Sequence, residues 1–598
     1  MSAHLAALQK SGRLRRVDAR LGEWLARAFP GTSEDSLLAA ALAARAISDG
    51  HSALTLDRAQ AWLDGLAEGA APALPEVADW RAALQAAPAV HVHAAGAATP
   101  NLPLVLDAQD RVYLRRYFEY ERQLARMLVT RAARKDTTTP SPRSRGQLSE
   151  EPAPDLIRGR RGDIPASNPA GPPLDPEQQR AIDVALSRRF TLVTGGPGTG
   201  KTHVVLRMLA ALAQRAQTGS LRIALAAPTG KAAARLGESL RAQLDKLDLP
   251  ETITAPIPHD AQTVHSLLGV SPWRTRPRFD RTSPLPFDVV VVDEVSMVDL
   301  PLMAKLVQAV PDDAKLILLG DPDQLSAVEA GNVLGALVEA AGDGPLRDCH
   351  VALTRSHRFG ADSALGALAA AITLGDATAV ARALDDNAAV TLVDDPRAAQ
   401  LVDIAADAYR PILSADGPAA ALHAARGFRM LTALRHGPSG CLAFDRAIAQ
   451  RLQRNAGARG DEHGWPGRLI LVTANRPELG LFNGDTGVIW PDADGSPRAW
   501  FEAGGGTPRA LPVAALPPHE GAFALTVHKA QGSEFERVAL VTGPDSAVLT
   551  RELLYTGVTR ARTAVTLYSS LDTLRAGIER RTLRMTGLAD RLREAAGT

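Results

Sequence analysis

The amino-acid sequence predicts an α/β protein of two tandem lobes, each with a small β insertion, preceded by a mainly helical amino-terminal domain. Three observations carry this. From residue 174 onward short, wholly apolar runs alternate with helical patterns; a glycine-rich loop joins one such run to one such helix; and residues 1–134 show apolar residues mostly at three-to-four spacing.

In the first region, "SLLAAALAARAI" (36–47) and "YLRRYFEYERQLARML" (113–128) both have helical periodicity. Three of the six tyrosines fall between 113 and 120, and at that spacing aromatic side chains fill a core. Residues 135–173 are rich in Pro, Ser, Gly and charge and cannot bury enough apolar surface to order themselves, so they read as a linker. Its "RGRR" (158–161) is a solvated basic run unless it meets DNA or a partner.

The runs "FTLVTG", "RIALAAP", "DVVVVDE" and "KLILLGD" predict strands buried on both faces, which is the signature of a parallel sheet. A second series, "FRMLTAL", "RLILVTAN", "ALTVHKAQ", "RVALVTG" and "AVTLYSS", predicts another sheet. The predicted division is 1–134, a helical domain; 135–173, the linker; 174–345, the first lobe, with a short insertion near 268–287; and 346–598, the second lobe. Between 476 and 520 the pattern of Gly, Pro and short alternating segments predicts a small β-barrel insertion in that second lobe.

Composition narrows the class further. At 598 residues the chain is too long for one core, and 45% apolar with 22% charged residues is ordinary globular usage. No apolar run is long enough for a membrane span, and no apolar segment with a cleavage site opens the chain, so a cytoplasmic protein is expected. Cys349 and Cys441 are too few for a disulfide framework or a cysteine metal site. A formal charge of +1 excludes binding of nucleic acid by bulk basicity but leaves room for a local groove.

"GGPGTGKT" (195–202) lies between a strand and the helix "HVVLRMLAALAQRA" and has the phosphate-loop spacing. Gly195, Gly196, Pro197, Gly198, Thr199 and Gly200 let backbone N–H groups curl round phosphates at a helix N-terminus. Lys201 neutralises the outer phosphates of ATP, and Thr202 offers an oxygen to Mg²⁺. Such a metal needs a carboxylate, and Asp293 at the end of "VVVVDEVSM" supplies it, while Glu294 is placed to deprotonate the attacking water. A third strand end, "LLGDPDQLSAV", presents Asp321 and Gln324, and the glutamine can report on the γ-phosphate.

In this order the strand ends resemble superfamily 1 helicases, from residue 174 to the end of the chain. "LDPEQQRAI" resembles the Q motif, which implies that Gln178 reads adenine; "LTRSHRF" resembles motif IV and "YTGVTRAR" motif VI, which direct Arg358 and Arg560 at the γ-phosphate. The resemblance implies two RecA-like P-loop NTPase lobes. "APTGKAAARL", "AQTVHSLLG" and "LTVHKAQGSEF" are specific to the RecD-like branch, which implies 5′ to 3′ movement on single-stranded DNA. Thr229, Lys231, Thr263, His265, Thr526, His528, Lys529 and Gln531 match positions that line the DNA groove or couple it to ATP. Short hydroxyls, His and Lys suit phosphates rather than base edges.

"LLAAALAARAISDGHSALTL" (37–56) and residues 103–128 resemble the amino-terminal domain of the RecD family, alpha subunits of exonuclease V, or RecBCD. That implies RecB and RecC as partners, docking on RecC, and a role in processing double-strand breaks for recombinational repair and degrading linear DNA. Nothing resembles a nuclease's carboxylate cluster, so nuclease activity is expected of the partner. Val295 where the family more often has Ala, and His203 where Thr is common, depart from the pattern. A stand-alone RecD-like helicase, an RNA-translocating superfamily 1 enzyme and a silent scaffold subunit are the alternatives. The last would need a broken motif, and all are intact.

Overall fold

A computed structural model describes residues 3–67, 69–95, 100–135, 174–216, 221–247, 249–271, 274, 276–358, 363–384, 388–394, 397–455, 464–502, 507–543 and 548–597. Residues 136–173 of the linker, including its "RGRR", lie outside them.

The amino-terminal region contains the helices Ala3–Lys10, Arg16–Ala28, Glu34–Ser48, Leu56–Asp64, Val77–Ala86 and Arg115–Ala133. Ser33 caps the third by accepting from Ser36 N, and the residues Leu38–Ala43 are wholly buried, so small alanines let its neighbours approach closely. A four-stranded sheet of short strands joins them, in the order Leu54–Thr55, Arg111–Leu114, Leu104–Leu106, Val90–Val92. Strands of two to four residues are too brief to show an alternating pattern, so the reading of this region as mainly helical named no strand in it. Of the clustered aromatic residues, Tyr113 and Phe118 are buried edge-on at 5.3 Å, while Tyr117 and Tyr120 pack half-buried on the first lobe.

Six parallel strands make the first lobe's sheet, in the order His350–Leu353, Phe190–Gly195, Lys315–Gly320, Val289–Val292, Ile223–Ala227, Gln262–Thr263. One face packs on the helices Leu300–Ala309 and Val333–Gly342, the other on Lys201–Arg215 and Gly230–Leu244. The second lobe has five parallel strands, Val390–Val393, Ala561–Tyr568, Phe535–Val541, Phe428–Thr432 and Ala524–Thr526, over its own core. No helix of the described residues is long and apolar enough to cross a membrane.

Several segments depart from the division read in the sequence. The strand His350–Leu353, beyond residue 345, completes the first sheet by pairing with Phe190–Gly195. The helix Leu588–Ala596 also leaves the second lobe. Its Leu588 and Leu592 join Leu124, Leu128 and first-lobe residues in one core, and Ser52 N donates to Met585 O, so the carboxyl-terminal stretch fastens the amino-terminal region to the first lobe. Leu469–Val472 is not in the second parallel sheet. It pairs antiparallel with Thr486–Pro491 and His519–Gly521 in a five-stranded meander that Pro497–Phe501 and Arg509–Pro512 complete. The two end strands are unpaired with each other, so among the described residues the insertion is an open sheet rather than a barrel. Near 268–287 the described residues form turns and no strand, because Pro277, Pro284 and Pro286 each lack the donor a ladder needs.

Candidate functional site

Three adjacent strands of the first sheet, Phe190–Gly195, Lys315–Gly320 and Val289–Val292, end side by side, where open parallel sheets bind ligands. Their continuations are the phosphate loop, Asp321 and Asp293. The loop turns into the helix Lys201–Arg215 through Gly198 and Gly200, both at positive φ (+77° and +84°), a backbone that side chains rarely adopt. A Cβ on Gly198 would also strike the Cβ of Arg358 at 2.1 Å, so the loop and Arg358 lie in direct contact. Lys201 Nζ donates to Gly195 O at 2.6 Å and Gly196 O at 3.0 Å, and Thr199 Oγ1 to Gly196 O at 2.9 Å. Thr202 follows in the first helical turn, half-buried; Pro197 O accepts from Ser356 Oγ at 3.3 Å.

Gln178 is buried beside this loop. With Asp175 it closes a capping box, accepting from Asp175 N while its own N–H bonds Asp175 Oδ1 at 2.8 Å; its Nε2 reaches Thr199 O at 3.4 Å. The residue predicted to read adenine therefore also starts a helix.

Asp293 accepts from Glu294 N at 2.8 Å. Burial, then the neighbouring Glu294, push its pKa up to about 6, against the pull of Lys201. Glu294 takes a left-handed backbone (φ 54°, ψ 41°), which costs a non-glycine residue roughly 1–2 kcal/mol. Asp321 is wholly buried and accepts from Gln324 Nε2 at 2.9 Å and Asp323 N at 3.1 Å; burial raises its pKa.

The second lobe closes onto these groups. Tyr555, on the helix Arg551–Val558, donates to Asp321 Oδ2 at 3.0 Å, and its hydroxyl oxygen is 2.9 Å from where a Cβ on Gly196 would stand. Leu325 N donates to Thr556 Oγ1 at 2.9 Å, and Gln531 Nε2 donates to Leu325 O at 3.0 Å. Arg560 is 4% exposed, held through Nε by Thr556 O at 3.1 Å and through Nη1 by Ser533 O at 3.3 Å. Burial lowers its pKa, and the carboxylates of Glu294 and Glu534 pull the other way. Arg358 Nη1 pairs with Glu534 at 3.0 Å, and its Nη2 donates to Ala561 O at 3.1 Å. Glu534 also pairs with Arg235 and, at 3.1 Å, Arg562; burial works against its charge, but these arginines hold its pKa down at about 2.

The residues expected at DNA are more dispersed in role. Thr229 caps Gly230–Leu244 by accepting from Ala232 N at 3.2 Å, and Thr263 caps the short helix Val264–Leu267 by accepting from Ser266 N at 3.1 Å. Thr526 Oγ1 accepts from Lys529 N at 3.4 Å, and Lys529 pairs with Glu520. Lys231 Nζ donates to Gly484 O of the insertion at 3.3 Å, and burial pushes its pKa down to about 8. His265 and His528 are exposed. Gln531 lies at the junction of the lobes, as its bond to Leu325 requires. The sequence reading missed Tyr555, Thr556, Glu534 and Arg235, and no signal short of the fold brings them to the loop.

Against known families, the RecBCD enzyme subunit RecD N-terminal domain matches residues 10–113, the AAA domain residues 178–330, and the UvrD-like helicase C-terminal domain residues 521–568. The chain is 43% identical over 428 residues to the RecBCD enzyme subunit RecD of Mycolicibacterium smegmatis, covering 70% of this chain and 75% of that one. To the subunit of the same name from Mycobacterium tuberculosis it is 39% identical over 532 residues, covering 87% and 85%. The ATP-dependent RecD2 DNA helicase of Deinococcus radiodurans is 31% identical over 426 residues, which span 70% of this chain and 52% of that one.

Proposed function

Because this chain belongs to the family of RecBCD enzyme subunit RecD, we propose that it is the 5′ to 3′ motor of such a complex, working beside RecB and RecC. It is an ATP-dependent DNA helicase. The finer reading assigns a job to each group in the cleft.

Lys201 and the loop N–H groups bind the phosphates of ATP, with Gln178 beside the base. Mg²⁺ suits the donors present, since Asp293 and Glu294 are half-buried acids whose mutual repulsion a divalent cation relieves. Thr202 and Asp293 would hold it, and it would neutralise charge on the outer phosphates. Glu294 orients and deprotonates the attacking water; Gln324, fixed by Asp321, sits where it can sense the γ-phosphate. Arg358 and Arg560 stabilise the charge that develops as the phosphoryl group leaves, an effect worth about 10³–10⁵ in rate for arginine fingers.

Closure and reopening of the cleft would alternate the grip on the DNA strand. The exposed His265 and His528 are the first candidates for phosphate contacts, with Lys231 beside the insertion. Thr229 and Thr263 fix helix starts, and Thr526 fixes the turn that presents Lys529, so these residues would shape the groove that phosphate meets, and Gln531 couples the strand to the ATP cleft. The observation that supports the whole reading best is Arg560, far along the chain yet buried on Thr556, whose hydroxyl accepts from Leu325 N of the first lobe.

As a subunit the protein would act on DNA ends in the cytoplasm, resecting breaks for recombinational repair and degrading linear DNA. The residues 1–134 would carry the docking surface for RecC. Two experiments test this. With ATP, the protein is expected to displace streptavidin from a 3′-biotinylated single strand and not from a 5′-biotinylated one; the reverse preference sinks the direction. Pull-down from the native host is expected to recover RecB and RecC, and recovery of neither favours a stand-alone helicase.

A further inference from the structure

Glu534 opens the strand Phe535–Val541 of the second lobe, yet two of its three arginines come from the other side of the cleft. Arg235 lies on the first-lobe helix Gly230–Leu244, and its Nη1 also donates to Gly532 O at 3.3 Å. Arg358 follows the last strand of the first sheet, and its backbone and Cβ press on Gly198 of the phosphate loop. The third, Arg562, is on the second lobe's own strand Ala561–Tyr568 and is half exposed.

The arginines thus differ in how they are held. Arg560 is fixed by the carbonyls of Thr556 and Ser533, which no phosphate would displace. Arg358 donates to Ala561 O but also pairs with a carboxylate, an anion that a phosphate can replace at similar strength. A buried ion pair of this kind adds little net stability, and its best-attested use is in setting register or switching.

We propose that Glu534 is a positioning residue that holds Arg358 across the cleft and competes with the γ-phosphate of ATP for its guanidinium. This rests on the reading that Arg358 faces the γ-phosphate. Binding of ATP draws Arg358 off Glu534, and Glu534 then keeps Arg235 and Arg562, so the lobes stay linked during the exchange. Without that anion, nucleotide meets less competition for Arg358 whether or not DNA has closed the cleft.

The test is steady-state ATP hydrolysis by the full-length chain with and without single-stranded DNA. Glu534→Gln is expected to lower KM for ATP about fivefold and raise the DNA-free rate severalfold. Adding Arg358→Ala to it should erase both gains. Unchanged KM and DNA-free rate in the single variant, or gains that survive in the double, would overturn the proposal. If the amide variant does not fold, Arg562→Ala serves, since it removes a rival for Glu534 and should raise KM; a fall or no change counts against the idea. Normal turnover in Arg358→Ala alone removes the underlying reading and this inference with it, whereas impaired turnover there with a silent Glu534→Gln removes only the inference.

Discussion

Tyr555 of the second lobe donates its hydroxyl proton to Asp321 of the first, 3.0 Å away, and both groups are buried. Because the same aspartate fixes Gln324, movement of one lobe against the other is transmitted to the residue proposed to sense the γ-phosphate. Leu325 carries two further bridges, to Thr556 and Gln531, so the strand end after Gly320 is tied to the second lobe at three points.

Removing that hydroxyl should uncouple the lobes more than it unfolds them. Tyr555→Phe removes one of the two donors to Oδ2 of a buried carboxylate and leaves Gln324 Nε2 on it, at a cost of about 1–3 kcal/mol. ATP binding is expected to persist within about threefold, while the rate stimulated by single-stranded DNA falls about tenfold. An ATPase titration with DNA measures both, and undiminished stimulation would show that Asp321 does not need its cross-lobe partner.

Lys201 is the cation of the phosphate loop, and no other ammonium is placed to take over its bonds to Gly195 and Gly196 among the described residues. Lys201→Ala is therefore expected to abolish hydrolysis, with the fold retained by circular dichroism. Near-normal turnover would refute the site.

The junction of the amino-terminal region with the carboxyl-terminal stretch should be acid-sensitive. His51 is buried, its Nδ1 accepts from Met585 N at 3.0 Å, and burial, then the charge of Arg584, push its pKa down to about 4. The unfolded chain takes up this proton near pH 6.5 and the folded chain only near 4, so stability is full above 6.5 and falls as pH drops between the two values. Thermal unfolding should show that decline, and His51→Gln, whose amide oxygen can accept the same bond, should flatten it. An equally steep decline in the variant would assign the acid sensitivity to other groups.

The groups that were legible in the sequence are those whose chemistry is local. Lys201 and Thr202 sit in a loop whose glycines, strand and helix are contiguous, and Asp293 and Glu294 end a run of four valines. Arg358 and Arg560 were legible only through motif resemblance, because their partners lie on other elements. Tyr555, Glu534 and Arg235 carry no local mark at all: a tyrosine in a helix, an acid before a strand and an arginine on an amphipathic face acquire meaning only when two sheets meet. The groove residues show the converse. Thr229 and Thr263 read as phosphate donors, yet each hydroxyl caps a helix, because a threonine before a helical run always has that nearer use. In the fold, the two parallel sheets were visible as apolar runs, whereas His350–Leu353 and Leu469–Val472 were placed with the wrong neighbours. An apolar run specifies a buried strand but not which sheet buries it.

The central claim is that the second lobe completes the ATP site of the first through Arg560. Arg560→Ala, studied in single-turnover hydrolysis alongside equilibrium binding of a non-hydrolysable ATP analogue and of single-stranded DNA, tests it most directly. Both affinities should stay within about threefold while the hydrolysis rate falls about a thousandfold. Parallel loss of binding and hydrolysis, or turnover near the wild-type rate, would contradict it.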